Sequence, residues 1–171
     1  MENSPTLLAL ASLTTATDDP NFALGEILAI IGRSLRAESG TIALLDPDSG
    51  KLEVENQFGV AQSEGDLTFA LGQGLPGWVA WHAKPALLTD TSADPRYRAV
   101  RPAVRCQMAA PMMSASDQVL GVITLERDAV GAYSAADLAK LARLTDQAGR
   151  VMQRLWQLGR LQERPASSRP C

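Results

Sequence analysis

Four arginines, at positions 96, 98, 101 and 105, follow closely on two tryptophans, Trp78 and Trp81, and Tyr97 lies among them. Aromatic walls beside a few convergent polar groups are the usual form of a small-ligand site, and guanidinium groups favour an anionic ligand such as a carboxylate or a cyclic nucleotide. The same residues have a plainer use, with the arginines solvated and Asp90 and Asp94 capping turns. Trp78 and Trp81 are three apart and share a face if their stretch is helical, and burial accounts for them as well as stacking does. His82 is the only histidine, with no second ligand at metal spacing, so haem or metal ligation is not expected. The two cysteines, Cys106 and Cys171, lie far apart, which argues against a disulfide framework or a cysteine metal site.

Most of these side chains sit in one excursion, residues 72–97, reading GQGLPGWVAWHAKPALLTDTSADPRY between two apolar, strand-like runs. A compact domain connects its elements with a handful of residues, so a long connection rich in aromatic and charged side chains reads as a functional lid.

The chain of 171 residues and 18.2 kDa suits a single domain with helical extensions. With 46% hydrophobic and 20% charged residues and a mean hydropathy of -0.04, it has the composition of a soluble globular protein. No apolar run approaches the roughly 20 residues that span a bilayer. Glu2 and the lack of a basic region before the first apolar residues do not fit a secretory signal, so a cytoplasmic location and no membrane partner are expected. Net charge is -3, with acids concentrated in residues 1–66 and bases in 137–171. The basic residues of that C-terminal stretch are interleaved with Asp137, Asp146 and Glu163, and no nucleic-acid recognition element accompanies them, so no nucleic-acid partner is expected.

The elements that would position the lid follow from periodicity and punctuation. A short helix is predicted over 7–13, and Asp19-Pro20 reads as an N-cap with proline at the first helical position. Leu24, Ile27, Leu28, Ile31 and Leu35 recur at helical spacing, with Gly40 as the predicted exit. A buried strand over 41–45, a turn over 46–50 and an alternating strand from Leu52 form a hairpin, and a third strand is predicted over 67–71. Pro76 should start a helix over 77–83 that Pro85 closes, and Asp94-Pro95 should start a brief helical turn carrying Arg96 and Tyr97. Two strands follow, 104–113 and 119–127, the first with Pro111 hinting at an edge or a bulge. Ser134 to Asp137 resembles a capping box opening a helix to about Glu163, roughly 45 Å long. That helix has two apolar stripes, one through Leu141, Leu144, Ala148, Val151, Leu155 and Leu158 and one through Leu138, Ala142, Met152 and Trp156. One stripe can cover the sheet, and the other is left for the N-terminal helix or for a second subunit. The expected organisation is a helical extension over 1–19, a domain over 20–163 and a linker-like tail over 164–171.

This order of elements gives an α+β fold, an antiparallel sheet with helices against one face. With SGTIALLDPDSGKLE, GQGLPGWVA followed by KPALLTDTSADPRY, Cys106 to Pro111 ahead of a turn, LGVITLER and AYSAADLAKLARLTDQAG, it resembles a GAF domain over roughly residues 20–160. The resemblance implies a sensory or regulatory module of a signalling protein, non-enzymatic, with terminal helices on one face of the sheet and the lid on the other. It implies a ligand between lid and sheet, touching Trp78, Trp81, Asp90, Arg96 and Tyr97 from the lid and Cys106 and Met108 from the strand beneath. The two-striped helix adds the expectation of a homodimer through the terminal helices, and the chain is expected to be either a freestanding regulator or the sensory piece of a longer protein with an output domain. No P-loop, kinase signature or helix-turn-helix is present in the sequence.

Two alternatives stand beside that reading. One is a protein-interaction module whose pocket is filled by Trp78, Trp81, Met108, Met112 and Met113. The other is reduction of free methionine sulfoxide, found in some stand-alone proteins similar to this domain, which needs an attacking thiolate and a resolving cysteine in the lid. The lid holds no cysteine, which also argues against a covalent bilin, and no cofactor is expected. The pattern Asn-Lys-Phe-Asp-Glu of cyclic-nucleotide-binding members is replaced after Glu126 by Arg-Asp-Ala-Val-Gly-Ala-Tyr.

Overall fold

The computed structural model describes residues 4–59, 68–99 and 101–163. The N-terminal region forms two short helices where one was predicted, α1 (Ser4–Ala11) and α2 (Leu13–Ala16). Leu10 and Leu13 are buried in the same core as the later helices, so this region is packed into the domain. Asp19 caps α3 (Pro20–Ser34) by accepting from the Asn21 N–H at 3.0 Å, with Pro20 at the first position. The helix does not run out to Gly40. It closes at Arg36, whose φ of 52° is left-handed, while the Ala37 N–H returns to the Gly32 carbonyl at 3.0 Å. Gly40 lies inside the following strand.

Six antiparallel strands form one sheet in the order β3-β2-β1-β6-β5-β4. They are β1 (Ser39–Asp46), β2 (Lys51–Phe58), β3 (Thr68–Ala70), β4 (Ala86–Leu88), β5 (Cys106–Met113) and β6 (Val119–Arg127). The β1–β2 turn is held by Asp46, whose carboxylate accepts from the Asp48 N–H and the Ser49 hydroxyl, each at 3.0 Å. The short apolar run 86–88 is an edge strand that pairs with β5 only as far as Ala109. β5 is therefore unflanked on that side at Pro111, so the edge reading of that proline holds, while the register shifts only beyond it, between Met112 and Met113.

Alternation along the central strands divides the interior in two. Ile42, Cys106, Met108, Met112, Ile123 and Leu125 join the helices in one core, and Ala43, Leu52, Ala109 and Val122 face the lid in another. The last helix, α5 (Ala135–Glu163), opens on a reciprocal capping box. The Ser134 N–H donates to the Asp137 carboxylate at 2.8 Å, and the Asp137 N–H donates to Ser134 Oγ at 3.3 Å. Leu141, Leu144, Ala148, Val151 and Leu155 of the first stripe are buried, with α1 and α3 packed alongside α5; of the second stripe Met152 is buried, while Leu138 and Ala142 are half-buried. Trp156 and Leu158 near the end stay half-buried. Among the described residues, no helix is long and apolar enough to cross a membrane.

Candidate functional site

The lid is anchored by α4 (Gly74–His82), which begins two residues before Pro76 and ends at Ala83 in a left-handed conformation. Leu75, Val79 and Ala80 press onto the sheet beside Phe69 and Val122. The approach is close: a β-carbon on Gly77 would stand 2.3 Å from the Ala70 carbonyl oxygen, so only glycine fits there.

Trp78 and Trp81 do not act together. Trp78 is half-buried against the lid-side core, with the Arg96 guanidinium 4.8 Å from its ring centroid and the His82 ring stacked at 4.2 Å. Trp81 is 65% exposed on the outer side of α4. The helical turn expected at Asp94-Pro95 lies earlier, as a 3-10 turn over Thr91–Ala93. Asp90 caps it, accepting from the Ser92 N–H at 3.0 Å and the Ser92 hydroxyl at 2.7 Å, and those donors hold its carboxyl below the usual range. Asp94 takes Arg96 in an ion pair at 2.8 Å, which lowers the acid and raises the guanidinium. Asp90 and Arg96 are thus committed within the lid.

Cys106 and Met108 were expected beneath the lid, and the structure places them on the opposite face. Both are fully buried in the helical core, and burial pushes the Cys106 thiol up despite backbone N–H donors from Tyr133 and Ala132. The parity of β5 instead turns Gln107 and Ala109 to the lid.

What lies on that side is a row of polar side chains across three strands. Ser39 of β1 is paired with Glu126 of β6, and Glu126 with Gln107 of β5. Ser39 Oγ donates to Glu126 Oε1 at 2.9 Å, and Gln107 Nε2 donates to Glu126 Oε2 at 2.9 Å. Arg101, where the lid returns to the sheet, donates through Nε to Ser39 Oγ at 3.2 Å and forms an ion pair with Asp128. Tyr97 packs at the edge of this floor. Burial raises its phenol, the nearby Glu126 charge adds to the effect, and its hydroxyl reaches the Arg101 carbonyl at 3.5 Å.

Glu126 is only 3% exposed, and burial raises its carboxyl against the opposing donors and Arg101. Among the described residues, Gln107 Oε1 and Thr124 Oγ1 are buried without a hydrogen-bond partner. Buried polar atoms are nearly always paired, so an unpaired amide oxygen and an unpaired hydroxyl on the strands around a buried carboxyl mark a floor suited to a polar ligand that donates to Gln107 Oε1 and exchanges a hydrogen bond with Thr124. Ser39, Gln107, Thr124 and Glu126 were missed in the sequence as site residues. The available signal was the alternation of Thr124 and Glu126 with Ile123 and Leu125, which gives β6 one apolar and one polar face.

A family model described as a GAF domain matches residues 18–153. Comparison with curated proteins gave no sequence match. Among solved structures, the chain is similar to free methionine-R-sulfoxide reductase from Neisseria meningitidis in complex with its substrate, at 17% identity and TM-score 0.79, covering 90% of this chain and 89% of that one. It is similar to the GAF domain of the Acinetobacter phosphoenolpyruvate-protein phosphotransferase, at 19% identity and TM-score 0.77, covering 91% and 96%. The corresponding GAF domain from Coxiella burnetii matches at 18% identity and TM-score 0.75, covering 91% and 95%. At such identities a structural likeness speaks to fold, and both it and the family model agree with the sheet, helices and lid described above: the chain belongs to the GAF domain family.

Proposed function

We propose that this GAF domain is a non-enzymatic regulatory sensor that holds a small molecule between the lid and the polar floor of the sheet. The observation that carries this reading is the pair of unpaired buried groups, the Gln107 amide oxygen beside Glu126 and the Thr124 hydroxyl on the same strand as Glu126. A ligand there presents hydrogen-bond donors to the floor and negative charge to the lid's remaining cations. Asp94 and Asp128 neutralise Arg96 and Arg101, so the attraction for an anion falls to Arg98 and Arg105, whose contacts among the described residues are backbone carbonyls and, for Arg98, the Phe69 ring. The ligand class that suits both demands is a small amino-acid-like or amide-bearing carboxylate. Trp78 and Tyr97 wall the site, and Arg101 latches the lid to the floor.

The signal passes through the terminal helices to a second subunit and to an output domain of a cytoplasmic signalling protein. Support comes from Leu8 of α1, 70% exposed, and from the half-buried Trp156 on α5. A ligand shifts such an equilibrium only by differential affinity, and the lid supplies the contacts that can differ.

The self-filled interaction module has less support, because Met108 and Met112 belong to the helical core and Trp81 to solvent. Reduction of methionine sulfoxide requires an accessible thiolate, and Cys106 is fully buried on the far face of the sheet. Cys171 lies outside the described residues.

The test is a thermal-shift screen of the purified protein against amino acids, their amides, small carboxylates and cyclic nucleotides. At about 100 times its dissociation constant, a ligand adds roughly 2.7 kcal/mol and raises the melting temperature by several degrees. A saturable shift within the amino-acid or carboxylate set is expected; a flat response across all classes would sink the sensor reading.

A further inference from the structure

At the C-terminus of a helix the left-handed position is usually glycine, and α3 places Arg36 there at φ 52°. A residue with a β-carbon is strained in that conformation, and such strain is often kept where a side chain has a task. Ala83 closes α4 in the same conformation, so strain alone does not single out Arg36. Its surroundings do.

Arg36 and Arg33 line one groove of about 420 Å³ between α3 and the end of β2, on the helical side of the sheet. The trough is apolar, made by Leu28 and Ala29 of α3 and by Phe58 of β2. Its wall depends on Gly32, where a β-carbon would stand 2.8 Å from Phe58 Cζ. Both arginines are exposed, and among the described residues neither forms an ion pair. Glu38, the nearest acid along the chain, is engaged elsewhere, with Arg127 at 3.6 Å and the Asp128 N–H at 2.6 Å. An apolar trough of this volume with two cations and no paired anion has the chemistry of a site for an amphipathic acid.

We propose that this groove is a second ligand site, for a carboxylate carrying an alkyl chain of about six to ten carbons or an aryl group. The apolar part lies along Leu28, Ala29 and Phe58, and the carboxylate sits between Arg33 and Arg36. The site is independent of the lid, from which the sheet separates it.

The test is titration calorimetry of the whole chain with octanoate, acetate and octan-1-ol, with amide shifts followed by NMR. Saturable octanoate binding is expected, with acetate and octan-1-ol each weaker, since one lacks the tail and the other the charge. Arg33→Gln and Arg36→Gly should each weaken octanoate by about tenfold or more, the loss of one charged contact. Arg36→Gly also relieves the left-handed strain, so it keeps or gains thermal stability, and its loss of binding cannot be blamed on unfolding. Ala29→Leu fills the trough and should abolish binding with both arginines in place. Shifts should centre on Gly32, Ala37 and Phe58. No saturable binding, undiminished affinity in both arginine variants, or shifts centred on α4 would overturn the proposal.

Discussion

Gln107 donates its amide to Glu126 at 2.9 Å while its own carbonyl oxygen, buried beside it, meets no partner among the described residues. The pair is therefore satisfied on one side only, and it sits where the lid meets the sheet.

Glu126 gives this pair a pH signature. Burial raises its carboxyl above the ordinary 4.5, so the folded protein binds that proton more tightly than the unfolded chain. The associated stability is present in acid and is lost as pH rises through the raised folded value. Glu126→Gln has no such loss, and its amide can pair with Gln107 once that side chain turns over. The variant should be at least as stable as the parent at neutral pH, with the difference shrinking toward pH ~4, where the parent's carboxyl is protonated as well. Urea denaturation across that range checks it, and a variant clearly weaker at neutral pH would contradict the buried, raised carboxyl.

Cys106 should behave as a small apolar side chain. A mild alkylating reagent should label it only after unfolding, because the thiol is buried and its thiolate disfavoured. Cys106→Ser, which places a hydroxyl in an apolar core, should cost about 1–3 kcal/mol. Rapid labelling of the folded protein at Cys106 would reopen the reductase reading.

The lid should loosen when its latch is cut. Arg101→Ala removes the Asp128 ion pair and the bond to Ser39, partly exposed interactions together worth about 1 kcal/mol. The larger effect is local: amides of 91–105 should exchange faster, and trypsin should cut sooner after Arg98. Unchanged exchange in that segment would show that Arg101 does not hold the lid.

The two faces of α5 give different outcomes. Leu155 is 1% exposed in the core, so Leu155→Asp should unfold the domain, costing upward of about 3 kcal/mol. Trp156 is half-buried, and Trp156→Glu should leave the fold intact while weakening the proposed dimer. Equal sedimentation of parent and Trp156→Glu would count against the proposed dimer through α5.

Much of the fold was legible because its signals are local. Asp19-Pro20, the Asp46 turn and the Ser134/Asp137 box each specify backbone geometry within four residues, and each is found where the sequence places it. Arg36 hid the end of α3, since a left-handed close is usually marked by glycine and that signal pointed to Gly40. The site was harder for a related reason. Strand parity decides which face a residue joins, and one step along β5 separates Cys106 and Met108 in the helical core from Gln107 toward the lid. The floor itself is assembled from β1, β5 and β6, whose residues meet only through long-range pairing, so no short motif announces it.

The most direct test of the ligand site is calorimetric titration of the best compound from the amino-acid and carboxylate screen into the parent and into Thr124→Val. The substitution keeps the side-chain shape and removes one unpaired buried hydroxyl, so the fold should be unharmed or slightly stabilised. If the compound sits on the polar floor, affinity falls by about tenfold with the melting temperature maintained. Equal affinity in the two proteins would place the ligand elsewhere and contradict the account.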